Sequence, residues 1–354
     1  MSEKMRAVQL FAPGRVSCEL IDIPIITNPK NLIIKVQACG VCGSDIPRVM
    51  SKGAYRYPIV IGHEFAGEVV EVGSEVKTVK MGDRVTAMPL VNCKECDYCK
   101  IGQAVTCDNY DYYGSRIDGA MAEYIEVSEE NIVHIPDNVS YYEAAMTDPV
   151  SVALHAVRKA NVEAGQTVVV FGLGAIGFIT VQWLKNLGCH KVIAVDIIDE
   201  KLELAKKLGA DLCLNATKCD VVKSIEEYTN GRGADAAIEL AGSTFTQVQS
   251  IDSVRKQGTV VFCGIAYNDL VLPNKSLGKI LRGELNVKGS WNSSIAPLPI
   301  NEWKSALMFV ESGKIKLKDL ITHVVRLEEC QNAFEMMYHK KEMFTKVIFD
   351  PNLK

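Results

Sequence analysis

The chain has 354 residues, 48% hydrophobic and 23% charged, which is enough to build two domains with sizeable cores and too apolar for a disordered protein. With 39 basic against 43 acidic residues the formal net charge is -4, and no block of Lys and Arg occurs, which excludes a general nucleic-acid binder. The opening Met-Ser-Glu-Lys-Met-Arg leads directly into a strand pattern and no uninterrupted apolar run approaches ~20 residues, so no membrane partner and a cytoplasmic location are expected.

Over residues 5–135 the chain is dense in short alternating or apolar runs, among them 32–38 and 65–72, separated by Gly, Pro and Asp turns; this predicts a mostly β portion. From about Ser140 the pattern changes to a helical stretch, the apolar strand Thr167–Phe171, a glycine turn and a helix to about Leu187. The strand Lys191–Asp196 and a helix over 201–208 follow, then candidate strands at 236–240, 259–263 and 285–289. Strand alternating with helix predicts a parallel, doubly wound sheet. Beyond Ser290, helices at Glu302–Glu311 and 327–338 precede the apolar strand Lys346–Phe349. That tail is short for a domain of its own and is expected to return to the β portion. The expected division is 1–150, 151–287 and 288–354, the middle piece inserted into the other domain.

Gly172, Gly174 and Gly177 follow a five-residue apolar strand and open a helix, the context in which a glycine fingerprint carries meaning. The first glycine permits the tight turn, the second lets the backbone approach a pyrophosphate, and the third lets helix and strand pack closely. Asp196 ends the next strand, nineteen residues beyond Gly177. A carboxylate there accepts hydrogen bonds from an adenosine ribose and repels a 2′-phosphate; no Arg directly follows it, so NAD is expected over NADP.

Cys93, Cys96, Cys99 and Cys107 stand in a C-x2-C-x2-C-x7-C run, whose four thiolates would close a tetrahedral structural zinc site. Residues 92–108 set Lys94 and Lys100 against Glu95, Asp97 and Asp108, so this lobe lacks the basic face of a nucleic-acid finger. A cysteine-rich loop without metal is the plainer alternative. Cys42 and the pair His63-Glu64 offer a second set, one thiolate with imidazole and carboxylate, of the kind that leaves a coordination position open for substrate. Each taken alone reads as readily as a core residue. Cys18, Cys39, Cys189, Cys213, Cys219, Cys263 and Cys330 are scattered and expected to be small, mostly buried residues.

The order Cys42, His63-Glu64, cysteine quartet, glycine fingerprint resembles the zinc-dependent medium-chain dehydrogenase/reductase family over essentially the whole chain, and within it the polyol dehydrogenases of the sorbitol kind. Residues 42–48, 57–65, 114–119, 278–282 and 289–291 carry a further likeness to members that act on polyol phosphates. The resemblance implies an α/β fold, a Rossmann doubly wound parallel sheet inserted into a mostly β, GroES-like catalytic domain. It implies NAD, one catalytic and one structural Zn2+ per chain, and hydride transfer from a secondary alcohol of a polyol, such as galactitol 1-phosphate, to give the ketose phosphate. It further implies that Cys42 and His63 hold the catalytic zinc together with Glu64 or Asp148, and that Ser44 accepts the alcohol proton. Ile176, Asp196 and Lys201 would line the adenosine half, and Cys263, Gly264, Ile265, Ser290, Trp291 and Asn292 would approach the nicotinamide.

Three positions depart from the family pattern. Asp148 stands where polyol dehydrogenases usually carry Glu, and read locally it is also a helix N-cap in a Thr-Asp-Pro turn. Pro47 stands where many relatives place a proton-relay His, and Asn292 where sorbitol-type enzymes place an Arg. A phosphorylated substrate needs cations, for which Arg48 and Arg116 are the candidates and Lys52 and Lys279 the weaker ones. L-threonine and free polyols such as sorbitol or xylitol remain alternative substrates, and a catalytically silent structural protein a remote alternative. A homodimer or homotetramer is expected from the resemblance.

Overall fold

The computed structural model describes residues 3–297 and 299–353. The chain divides into two compact units, Met1–Pro149 with Ser294–Lys354, and Val150–Ser293. The return to the first unit thus falls at Ser294, a few residues later than the composition suggests.

The second unit is built on a six-stranded parallel sheet in the order Leu212–Asn215, Lys191–Asp196, Thr167–Phe171, Ala234–Glu239, Val254–Phe262, Asn286–Gly289. In chain order this is 3-2-1-4-5-6, the doubly wound arrangement of a Rossmann sheet. Thr167–Phe171 and Ala234–Glu239 are buried at every position, because a central parallel strand is covered on both faces and its sequence reads as a continuous apolar run. Val169, Phe171, Ile193, Val195 and Ile251 pack into one core, each burial contributing about 1.5–3 kcal/mol. The helix expected over 201–208 begins earlier, at Asp199–Lys207, with Asp199 and Glu200 in its first turn where the helix dipole favours acids.

The first unit contains a three-stranded sheet, Arg15–Asp22, Lys4–Ala12, Ile59–Val60, and a seven-stranded one. In the latter, Ile132–His134, Arg84–Ala87, Glu64–Val72, Asn31–Gly40, Lys346–Phe349 and Ile321–Val325 lie in that order, and Tyr124–Ser128 also pairs with Asn31–Gly40. The C-terminal tail therefore does rejoin the β portion. Its strand Lys346–Phe349 pairs antiparallel with Asn31–Gly40, setting Ile348 opposite Gly40, while Gly40 on its other side faces Glu64. The helix expected over 327–338 is two pieces, a 3-10 turn Leu327–Glu329 running into the α-helix Cys330–Tyr338. Leu327, Phe334, Met337 and Phe349 join the core that fills this unit. Among the described residues no helix is long and apolar enough to cross a membrane.

Candidate metal centres and cofactor site

Cys42 follows the strand Asn31–Gly40, and His63 immediately precedes Glu64–Val72, so adjacent strands carry the two donors to one end of the sheet. Gly62 makes the turn into His63 at φ +92°, and any side chain there would meet Met121 Cγ and Cys39 Sγ at under 3 Å. Donor atoms of Cys42, His63 and Glu64 all lie within 4.8 Å of one another. Gly40 makes room for the carboxylate, since a Cβ at that position would stand 2.6 Å from Glu64 Oε2. Ser44 Oγ donates to Cys42 Sγ at 3.2 Å.

Two cations answer two of the acids around this set. Lys346 and Glu64, each 2% exposed, form an ion pair, and Lys346 Nζ also donates to the Val41 carbonyl at 2.9 Å. Burial opposes the ammonium charge, but Glu64 and Cys42 raise the Lys346 pKa above its ordinary value. Arg48 pairs with the fully buried Asp45, which in turn lies 3.6 Å from His63 Nδ1. A carboxylate behind a ligating imidazole fixes its orientation.

Cys42 and Asp148 are the acids whose charged forms remain disfavoured. Desolvation, reinforced by Glu64 and Asp45, pushes the Cys42 thiol up to about 12. Burial pushes the Asp148 carboxyl up to about 7; His63 opposes this and Glu64 adds to it. Asp148 sits inside the first turn of the helix Thr147–Lys159 and is not its cap. It also lies outside the 4.8 Å donor set, although it senses the same charges. Half-buried Tyr112 packs edge-on to His63 with ring centroids 5.2 Å apart, and burial followed by Asp148 holds its hydroxyl well above the usual range.

A metal ion fits the chemistry of this donor set: a thiol, an imidazole and a carboxylate gather within 4.8 Å, and a dication would stabilise the charged forms of Cys42 and Asp148 that burial disfavours. Asp45, Lys346 and Tyr112 were not singled out from the sequence. Lys346 alone left a signal, a lysine heading an otherwise apolar strand.

The quartet Cys93, Cys96, Cys99, Cys107 also gathers within 4.8 Å. Sγ separations of 3.4 Å for Cys93–Cys107 and 4.0 Å for Cys96–Cys107 bracket the ~3.8 Å edge of a tetrahedron with ~2.3 Å Zn–S bonds. Backbone N–H donors at Glu95 and Cys96 bring Cys93 down to about 6, whereas desolvation and its thiol neighbours push Cys99 up to about 12. Clustered thiolates repel, and a cation at the centre removes that cost. All twelve cysteines are free, and of the scattered seven Cys219 is exposed rather than buried.

In the second unit the fingerprint turn joins Thr167–Phe171 to the helix Ala175–Asn186, with Gly174 as N-cap. Gly172 adopts φ +93°, and a Cβ on Gly177 would stand 2.0 Å from the Gly172 carbonyl oxygen. Nothing lies within 4 Å of a Cβ on Gly174, so the backbone is open to a ligand there. Asp196 accepts from the N–H groups of Leu173 (2.7 Å), Ile197 (2.8 Å) and Ile198 (3.1 Å), tying the turn to the end of the next strand. Cys263-Gly264-Ile265 and Ser290-Trp291-Asn292 leave the carboxyl ends of neighbouring parallel strands, the edge where open α/β sheets bind ligands. Ser290 Oγ is buried with no hydrogen-bond partner among the described residues, and Asn292 is held at φ +57°. Ile176 is half-buried in the first turn of the fingerprint helix, and Lys201 lies on Asp199–Lys207. Glu239 was read only as part of a strand. It is fully buried, and its Oε1 accepts from Ala241 N, Gly242 N and Thr246 Oγ at 2.8–2.9 Å, shaping the loop against which Gly172 packs.

A Rossmann unit with an intact glycine turn and a β unit with two cysteine-based metal sets define a metal-dependent nicotinamide dehydrogenase. Residues 28–137 match the alcohol dehydrogenase GroES-like domain and residues 175–312 the zinc-binding dehydrogenase domain. The chain is 36% identical over 319 residues to galactitol 1-phosphate 5-dehydrogenase of Escherichia coli (strain K12), covering 90% of this chain and 92% of that one. It is 32% identical to sorbitol dehydrogenase of Bacillus subtilis (strain 168), covering 99% and 98%. The crystal structure of galactitol-1-phosphate dehydrogenase from Escherichia coli superposes with a TM-score of 0.93 at 34% identity, covering 98% of this chain and 100% of that one. The chain belongs to the zinc-dependent medium-chain dehydrogenase/reductase family and is an oxidoreductase acting on CH–OH donors.

Proposed function

We propose that this enzyme oxidises a secondary alcohol of a polyol phosphate, such as galactitol 1-phosphate, to the ketose phosphate with NAD. The carrying observation is the set of half-buried Cys42 with buried His63 and Glu64, whose charges Asp148 senses, in a chain similar over nine-tenths of its length to an enzyme named for that substrate. Cys42 and His63 would hold the ion, with Asp148 completing the site because Glu64 is already engaged by Lys346. A zinc ion held there would supply the Lewis acidity that favours the alkoxide form of the alcohol, and a nicotinamide bound at the glycine turn would be the hydride acceptor. Ser44 Oγ, at the ligand thiolate, would take the alcohol proton; Asp45, paired with Arg48 and 3.6 Å from His63 Nδ1, would orient the imidazole. Gly172, Gly174 and Gly177 would admit the pyrophosphate, and Asp196 would accept from the adenosine ribose and repel a 2′-phosphate. Ser290 Oγ is a buried hydroxyl suited to a polar group of the nicotinamide. The cysteine quartet would hold the structural zinc.

The test is NAD and NADP reduction by zinc-loaded protein with galactitol 1-phosphate, galactitol, sorbitol, xylitol and L-threonine. Preference for the phosphate ester and for NAD is expected. Equal or faster turnover of a free polyol or of threonine would refute the polyol-phosphate assignment, and equal use of NADP would refute the role given to Asp196.

A further inference from the structure

Four cations were candidates for recognising a substrate phosphate, and the structure separates them. Arg48 is committed to Asp45, and nearby in sequence Arg56 pairs with Asp118 at 2.9 Å. Lys279 donates to the Asp252 carbonyl in the other unit, and Lys52 makes an interaction of its own. Arg116 differs: its guanidinium lies over the rings of Tyr55 and Tyr110, 4.8 and 4.4 Å from their centroids, and among the described residues its N–H groups meet no carboxylate and no carbonyl.

We propose that Arg116, held by Tyr55 and Tyr110, is the group that recognises the substrate's phosphate and sets the preference for a phosphorylated polyol over the free one. The inference rests on the polyol-phosphate reading above. Stacking on aromatic rings uses the faces of a guanidinium and leaves its edge, with the N–H fork that matches a phosphate bidentately. It also removes much of the rotamer freedom an arginine would otherwise lose on binding. A chain of ring contacts links this arginine to the metal set within one unit: Tyr110 to Tyr112 at 6.5 Å and Tyr112 to His63 at 5.2 Å. These contacts place the guanidinium and the His63 ring on one connected row of side chains in the same unit.

The experiment compares kcat/KM for galactitol 1-phosphate and for galactitol in the zinc-loaded wild type, Arg116→Gln and Arg116→Lys, with inorganic phosphate as a competitive inhibitor. The ester-to-free ratio is expected to fall about 10- to 100-fold in Arg116→Gln, the worth of a charge-assisted hydrogen-bond pair. Arg116→Lys should recover only part, because an ammonium is a point charge without the fork. Inhibition by inorganic phosphate should weaken in the same order. An unchanged ratio in Arg116→Gln, with the wild type still preferring the ester, overturns the role of Arg116 and leaves the substrate reading standing. Parallel loss on both substrates, with the ratio kept, shows a structural role and equally overturns it. No preference in the wild type overturns both.

Discussion

At the residue scale the candidate catalytic set is a problem in charge. Glu64 and Asp45 are paired with Lys346 and Arg48, whereas burial disfavours the charged forms of Cys42 and Asp148, and this predicts which carboxylate matters more to the metal. Asp148→Asn should lower zinc retention in dialysed protein more than Glu64→Gln does, as read by metal content per chain; the reverse order would assign the third donor to Glu64. The protonation states give a second prediction. Folded Asp148 keeps its proton up to about 7, whereas an unfolded Asp releases it near ~3.9. Across that window the metal-free folded state binds more protons than the unfolded one, so stability must fall as pH rises from about 4 to about 7. Urea midpoints of metal-free protein at pH 5 and pH 7.5 should show the decline, and Asp148→Asn should flatten it. Zinc uptake must run the other way: it displaces the protons on Cys42 and, below pH 7, on Asp148, so affinity weakens as pH falls. Lys346→Met, which leaves Glu64 buried without its cation, should cost about 3–5 kcal/mol in chemical denaturation, and adding Glu64→Gln should restore much of it.

At the element scale, what the sequence disclosed depended on periodicity. Thr167–Phe171, Lys191–Asp196, Glu302–Glu311 and Lys346–Phe349 were legible to the residue because each is a run of one apolar pattern bounded by polar or glycine positions. Ile321–Val325 was not, since its Thr and His interrupt the pattern and none of its residues is fully buried. The glycine fingerprint was legible as a motif, but the acid supporting its surroundings was not: Glu239 sits in an apolar strand, and nothing in its spacing shows that it will cap the loop at Ala241 and Gly242. Two variants probe that layer. Gly177→Ala places a methyl 2.0 Å from the Gly172 carbonyl oxygen and should abolish NADH fluorescence enhancement at cofactor concentrations that saturate the wild type. Glu239→Leu should raise KM for NAD with a smaller effect on kcat, because it loosens the loop without touching the metal donors; a drop in kcat alone would assign Glu239 a different role.

At the scale of the whole molecule, the parallel sheet ends in two edge strands, Leu212–Asn215 and Asn286–Gly289, neither with a second neighbour among the described residues. Asn286–Gly289 has a neighbour on one side alone, and Val287, Leu277 and Leu281 are exposed around it, Leu281 at 68%. An open edge with apolar neighbours is a template for another chain, and the homodimer or homotetramer that the resemblance implies would have such an edge to use. Sedimentation equilibrium should find a homodimer or a multiple of it, and Leu281→Asp should shift the population toward monomer; a wild-type monomer at micromolar concentration would end this reading. The expected assembly was legible only through family resemblance: the polar, exposed pattern of Asn286–Gly289 marks an edge strand, but not what pairs with it.

The ion pair between Lys346 and Glu64 joins residues 282 positions apart. A ribosome adding ~5–20 residues per second needs roughly 15–60 s to cover that distance. For that interval the nascent chain carries Cys42, His63 and Glu64 without the ammonium that engages Glu64, while all the residues of the inserted unit Val150–Ser293 are synthesised. A metal ion arriving early would therefore meet a different donor set, one in which Glu64 is free to ligate, from the set it meets on the finished protein. If Glu64 and Asp148 compete for the ion, the order in which the chain is made would decide when the choice between them is imposed.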